Sequence, residues 1–104
     1  MSIAKTKSEL DGTHYVEIAA GKHEGKHWAA DSIYIDIQDF DFTPNFYKSF
    51  KSSIQYFDVY DNFVISQGVG RQLVLNLHYE GFEELAQKID KMLDENEEIC
   101  FIGV

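Results

Sequence analysis

Cysteine, proline and long apolar runs are scarce in this 104-residue chain. Its one cysteine, Cys100, cannot form an internal disulfide, which is typical of a reducing compartment such as the cytoplasm. The longest segment without a charged residue covers nine positions, 62–70, against the roughly 20 apolar residues that span a bilayer. No apolar stretch follows the lysines near the amino terminus, so no secretory signal is predicted. We therefore expect a cytoplasmic protein with no membrane association.

Basic residues are also few, since 9 Lys and Arg stand against 18 Asp and Glu for a formal net charge of −9. Nucleic acids and anionic membranes bind proteins through clustered Lys and Arg, so neither is expected as a ligand. A basic protein is the better electrostatic partner, and no cofactor or small molecule is predicted. The length predicts a single domain over 1–104, and 44% hydrophobic residues are too many for a disordered chain.

The negative charge is confined to part of the chain. Residues 1–30 hold four basic and four acidic side chains, whereas residues 31–104 hold five basic and fourteen acidic ones. Twelve of the fifteen aromatic residues lie between Tyr34 and Phe82. Acidic and aromatic side chains are therefore interleaved in the middle of the chain, and this is the compositional feature with a functional interpretation.

The first half of the chain predicts two strands and a helix. A strand-favouring segment covers 14–19, and a loop with two glycines follows at 21–30. Isoleucine at every second position predicts a half-buried strand over 32–37. Thr43 and the proline after it suit the start of a helix over Pro44–Ser53, whose apolar side chains recur at helical spacing.

The second half predicts a hairpin, a helix and a final strand. Residues 55–66 favour a strand that ends near Gln67, and the glycines at 68 and 70 predict a turn. Leucine alternates with other side chains over 71–79, which predicts the returning strand of the hairpin. Apolar residues at helical spacing predict a helix of about three turns from Phe82, and 99–104 is predicted as a strand beside the others.

The resulting order, ββαββαβ, predicts an α+β fold with two layers. A mostly antiparallel sheet forms one layer, and two helices pack on one face of it.

A short segment matches the His-Glu-x-x-His pattern of zinc-dependent peptidases through His23, Glu24 and His27. That pattern needs a helix to put both histidines on one face, but glycines interrupt this segment and no apolar stripe continues on either side. No third ligand follows at a familiar spacing. A polar loop between strands is therefore expected, and a small zinc-binding enzyme stays an alternative.

Other catalytic arrangements are not predicted. Cys100 lies in an apolar strand, where a thiol behaves as a small hydrophobic group, and no serine stands in a nucleophile-elbow pattern. The segment Gly68-Val69-Gly70 lacks the third glycine of a dinucleotide loop and is predicted to open a strand rather than a helix. No catalytic residue and no metal ligand is assigned, and a non-enzyme is expected.

Two acidic and aromatic segments remain, 36–42 and 56–61. Exposed carboxylates beside tyrosines suit the binding of Lys and Arg, because charge steers the partner and the rings add contact area. The aromatic side chains can equally belong to the core while the aspartates cap turns. The predicted partner-binding residues are Asp36, Asp39, Asp41, Asp58, Tyr60 and Asp61.

In size, acidity and its acidic-aromatic middle the chain resembles bacterial immunity proteins, which neutralise nuclease toxins of contact-dependent and related systems. The resemblance is one of overall character and is carried by the stretches Asp39-Phe40-Asp41-Phe42 and Tyr56-Phe57-Asp58-Val59-Tyr60-Asp61. It implies a protein that blocks the basic cleft of a nuclease, in the first place a ribonuclease, by presenting carboxylates where phosphates bind. A structural or regulatory subunit that pairs through an exposed edge strand is a further alternative.

Overall fold

The computed structural model of this protein describes residues 5, 10, 14–20 and 32–103. Within them, four strands and four helices follow one another in the order ββααβααβ. The strands are β1 (Tyr15–Ala20), β2 (Ile33–Asp36), β3 (Phe63–Ser66) and β4 (Glu98–Ile102). The helices are α1 (Ile37–Phe42), α2 (Pro44–Ser53), α3 (Gln67–Tyr79) and α4 (Glu83–Glu95). The fold belongs to the α+β class, as predicted.

The strands form one antiparallel sheet with the order β2-β1-β4-β3. Strand β4, the last in sequence, lies in the interior and pairs with β1 on one side and β3 on the other. This position confirms the prediction that the apolar carboxyl-terminal segment inserts beside the other strands. Its residues Ile99 to Ile102 are at most 2% exposed.

Alternation along the strands gives the sheet two different faces. The face that packs on the helices carries the apolar side chains of the core, among them Val16, Ile35 and Phe101. On the opposite face Glu17 is buried and accepts a hydrogen bond of 2.6 Å from the Ser32 hydroxyl. Cys100 lies on this second face and is 1% exposed, which confirms its predicted role in packing.

Two helices form where the sequence predicts them. Helix α2 begins at Pro44, where the missing N–H costs nothing, and buries Phe46 and Phe50. Helix α4 begins at Glu83 and buries one apolar stripe that includes Ile89 and Leu93. Its first turn is acidic, which complements the positive end of the helix dipole.

The hairpin predicted around Gly68 is wrong, because residues 67–79 form helix α3. The hydroxyl of Ser66 accepts a hydrogen bond from the Val69 N–H and starts the helix. The two glycines therefore lie in the first turns of a helix, not in a turn between strands. The segment also has a helical pattern, because residues at 70, 73, 74 and 77 make one buried face while Leu75 lies on the exposed face. Contacts with α2 and α4 decide in favour of the helix.

The remaining differences between the predicted and the observed elements concern where single strands begin and end. The strand predicted over 32–37 ends at Asp36, because Ile37 begins the short helix α1, which the sequence pattern did not predict. Only the last four residues of the segment 55–66 form strand β3. The predicted loop over 21–30 lies outside the described residues.

Candidate functional site

Both acidic and aromatic segments lie at the same end of the sheet. Strand β2 ends there at Asp36, and β3 begins there at Phe63, since both of these strands run antiparallel to their neighbours. The two segments attach to the outer strands of a four-stranded sheet. Three strand spacings of about 4.8 Å separate those strands by about 14 Å. The topology therefore joins segments some twenty residues apart into one surface.

Buried rings link the two segments beneath that surface. Phe40 in α1 and Phe57 in the second segment pack with their ring centroids 5.4 Å apart. Each also packs against Phe50 of α2 at 5.1 Å. The phenylalanines at these three positions are at most 3% exposed. Part of the aromatic content of both segments is thus core, and the aromatic cluster fixes the two segments relative to each other.

The carboxylate of Asp36 caps the amino-terminal end of helix α1. Its Oδ1 accepts a hydrogen bond of 2.9 Å from the Gln38 N–H, which caps the helix. Its Oδ2 lies 3.4 Å from His14 Nε2. These intramolecular contacts occupy the carboxylate, so Asp36 shapes the surface more than it presents charge on it.

Asp39 is partly buried, with 30% of its side chain exposed. Its Oδ2 is buried, accepts no hydrogen bond from a described residue, and lies 3.9 Å from Lys5 Nζ. Burial raises the pKa of Asp39 above its ordinary value, the Lys5 ammonium opposes this rise, and the Asp36 carboxylate adds to it. The Lys5 ammonium offsets only part of the effect of burial on the pKa. Asp39 is therefore a poorer candidate for contact with a partner than the exposed aspartates.

Asp41 points its charge into solvent. It follows the buried Phe40 in α1 and is exposed, and the next residue, Phe42, has 79% of its surface exposed. An exposed carboxylate beside an exposed phenyl ring is the arrangement expected of a contact residue.

The second segment forms a turn that holds three candidate residues outward. Asp58 Oδ1 accepts a hydrogen bond of 2.9 Å from the Tyr60 N–H, and the Asp61 N–H donates to the Asp58 carbonyl at 3.2 Å. Asp58 and Asp61 are exposed, and Tyr60 is 66% exposed. The side-chain bond to the backbone is an Asx turn, which orders this loop without help from a partner.

The chain after β4 packs against this turn. The Gly103 N–H donates to Asn62 Oδ1 at 2.8 Å. A Cβ atom at Gly103 would lie 2.4 Å from the Tyr60 carbonyl carbon, so only glycine permits this approach. On the other side Lys51 Nζ donates to the Phe57 carbonyl at 3.3 Å. The turn is therefore supported from two elements.

We call the exposed residues Asp41, Phe42, Asp58, Tyr60 and Asp61 the acidic end. Four of them belong to the set predicted from sequence. Phe42 was missed because a phenylalanine is more often part of the core, and its exposure depends on where α1 ends. Tyr56, 58% exposed and packed edge-on against Phe63 at 5.4 Å, lies beside this surface and was also missed.

Within the part of the chain that the structure describes, the other chemical candidates add no second site. His23 and His27 lie outside the described residues. In the described part of the chain, no group of three or more His, Cys, Asp or Glu side chains is arranged to hold a metal ion. The segment Gly68-Val69-Gly70 does open a helix, contrary to the prediction. Gly70 packs against Leu93 and the Ser66 hydroxyl caps a first-turn N–H, so the segment does not form an open phosphate loop.

Among the helices described, none has both the length and the apolar character needed to cross a bilayer. Comparison with known proteins gives no match to a family model, to a curated protein or to a solved structure. A functional proposal for this chain therefore rests on its own geometry.

Proposed function

We propose that this protein is a non-enzymatic inhibitor that binds a basic nuclease toxin, in the first place a ribonuclease, through the acidic end. In this role it is an immunity protein. One observation carries the proposal: the sheet order brings two acidic segments to one end of the molecule, where Asp41, Asp58 and Asp61 are exposed.

Electrostatics favours such a partner. A nuclease presents Lys and Arg where it binds phosphates, and a partner with clustered carboxylates is steered toward that cleft. The same carboxylates can occupy the positions of the phosphates and exclude the substrate. Inhibition of this kind needs no catalytic group.

The aromatic residues supply contact area. Tyr60 and Phe42 expose most of their rings, and tyrosine is among the residues that dominate protein interfaces. An aromatic face also attracts the guanidinium group of arginine. Because the Asx turn at Asp58 already fixes the backbone at Tyr60, the loop needs little ordering on binding.

The experiment compares two variants that lose the same charge. Asp41→Asn/Asp61→Asn neutralises two carboxylates of the acidic end, and Glu95→Gln/Glu97→Gln neutralises two exposed carboxylates at the end of α4 and just after it. The probe is a basic nuclease domain, sought first in the reading frames that flank the gene for this chain, and it is assayed for RNA and DNA cleavage. We expect wild type and the α4 variant to inhibit, and the acidic-end variant to bind about tenfold more weakly, about 1.4 kcal/mol.

Two results would contradict the proposal. Wild-type protein that leaves cleavage unchanged at a molar excess shows that it is not the inhibitor of this nuclease. Equal inhibition by both double variants shows that the inhibitory surface lies elsewhere.

A further inference from the structure

The outer face of helix α3 exposes an uncharged stripe. Residues at 68, 72, 75 and 79 follow one another at spacings of four, three and four, opposite the buried face of the helix. Leu75 is 61% exposed and Tyr79 is 88% exposed. Gly68 is exposed and has open space where a Cβ atom would stand. With the polar Gln72 between them, Gly68, Leu75 and Tyr79 follow the spacing of a helix packed on another helix.

The charge around this stripe is unusual for so acidic a chain. Helices α2 and α3 contain no Asp or Glu, and α2 carries the exposed Lys48 on this side, while Lys51 donates to the Phe57 carbonyl of the second segment. Helix α4 carries five acidic residues against two lysines. The three helices therefore form a layer that is positive or neutral on one side and negative on the other.

Helix α3 lies between its two neighbours in this layer. On one side Asn76 Nδ2 donates to the Ser53 hydroxyl of α2 at 2.6 Å. On the other side Arg71 forms ion pairs with Asp90 and, at 2.9 Å, with Asp94 of α4. The exposed stripe is thus the central ridge of the helical layer, with α2 and α4 on its flanks.

We infer that the chain forms a two-fold dimer through this layer, with α3 of one copy parallel to α3 of the other. A two-fold axis along α3 sets α2 of each copy opposite α4 of the other, so Lys48 of each copy faces the acidic helix α4 of the other. An axis perpendicular to α3 would instead set the two acidic α4 helices against each other. Charge complementarity therefore favours a second copy of the chain as the partner, bound in the parallel arrangement.

Helix α3 alone is too small for a stable interface, so the flanking helices α2 and α4 must contribute to the buried area. A specific interface buries about 800 Å² on each partner, and the ridge of a 13-residue helix, about 20 Å long, supplies only part of that. In the parallel arrangement each stripe residue meets its own copy, so Leu75 packs on Leu75 and Gln72 lies opposite Gln72. A polar pair inside an apolar seam fixes the register. The dimer surface shares no residue with the acidic end.

Sedimentation equilibrium tests the dimer on the full chain. The probe is the protein itself at concentrations up to about 1 mM, which detects a Kd as weak as about 1 mM. We expect a mass near twice the 12.0 kDa of one chain for wild type, and the single-chain mass for Leu75→Glu. Tyr56→Glu, at a similarly exposed position outside the stripe, adds the same charge and is expected to stay dimeric.

A cysteine variant tests the orientation. Leu75→Cys is expected to form a disulfide between two copies on mild oxidation, because the parallel axis places residue 75 beside itself. The native Cys100 is 1% exposed and does not compete. A wild-type chain that is monomeric at the highest concentration overturns the inference. So does a Leu75→Glu variant that stays dimeric, or a dimer in which Leu75→Cys does not cross-link.

Discussion

At the scale of single residues, Asp39 is the carboxyl group among the described residues whose surroundings oppose its charge most clearly. Its buried Oδ2 accepts no hydrogen bond from a described residue and lies 3.9 Å from the Lys5 ammonium. Burial raises its pKa above the ordinary value of 3.8. The native protein therefore holds this proton more tightly than the unfolded chain, and stability falls as pH rises from 3.8 through the native pKa.

Asp39→Asn keeps the shape of the side chain and removes this dependence. We expect the variant to be at least as stable as wild type at pH 7, with an advantage that disappears as the pH falls below the range in which Asp39 titrates. Urea unfolding at pH 7 and at about pH 3.5 measures both free energies of unfolding. A variant less stable than wild type at pH 7 would show that the Lys5 ion pair outweighs the burial.

Two glycines of α3 provide a matched pair. A Cβ atom at Gly70 would lie 2.7 Å from Leu93 Cδ2, and Leu93 is fully buried, whereas Gly68 has nothing within 4 Å. Alanine favours the helix by up to about 1 kcal/mol at either position. We expect Gly70→Ala to be about 1–3 kcal/mol less stable than Gly68→Ala, because it overpacks the contact between α3 and α4. Equal free energies of urea unfolding for the two variants would contradict this expectation, because the Leu93 side chain would then move aside without loss of stability.

The roles of individual aspartates were only partly predictable. Aspartate caps helices, orders turns and lies exposed with equal ease, so composition alone did not separate Asp36 from Asp41. The distinction comes from contacts such as the Asp36 bond to Gln38 and from the burial of Asp39. Exposure of Phe42 likewise follows from where α1 ends.

At the scale of elements, the starts of α2 and α3 differ. The Ser66 hydroxyl accepts a hydrogen bond from the Val69 N–H at 3.4 Å, whereas Thr43 makes no side-chain cap bond. Ser66→Ala is expected to lower the free energy of unfolding by about 0.5–2 kcal/mol, and Thr43→Ala by less. Thermal unfolding of both variants measures the difference. A larger loss from Thr43→Ala would contradict this assignment of the caps.

Helices with local signals were predictable, and α3 was not. Pro44 and a regular apolar stripe identify α2 within the chain itself. In α3, alternate leucines fit a strand as well as a helix, and two glycines imitate a turn. The contacts that favour the helix join α3 to distant residues, as in the Arg71 pairs with Asp90 and Asp94. Non-local packing of this kind is not visible in a sequence pattern.

At the scale of the whole molecule, charge is sorted between surfaces. The acidic end gathers exposed carboxylates from two segments, while α2 and α3 carry none. The sequence localised the excess acid to residues 31–104, but the joining of the two segments depends on the sheet order β2-β1-β4-β3. Because the two surfaces share no residue, loss of nuclease binding and loss of dimerisation can be produced separately.

The most direct test of the central claim is the association rate with the basic nuclease domain as a function of salt. Raising NaCl from about 0.1 M to about 1 M shortens the Debye length from about 10 Å to about 3 Å. For wild type and the Glu95→Gln/Glu97→Gln control we expect the rate constant, measured by stopped flow, to fall about tenfold or more. For Asp41→Asn/Asp61→Asn we expect a slower rate at low salt and a shallower decline. A wild-type rate that does not change with salt, or the same salt dependence in both double variants, would contradict binding through the acidic end.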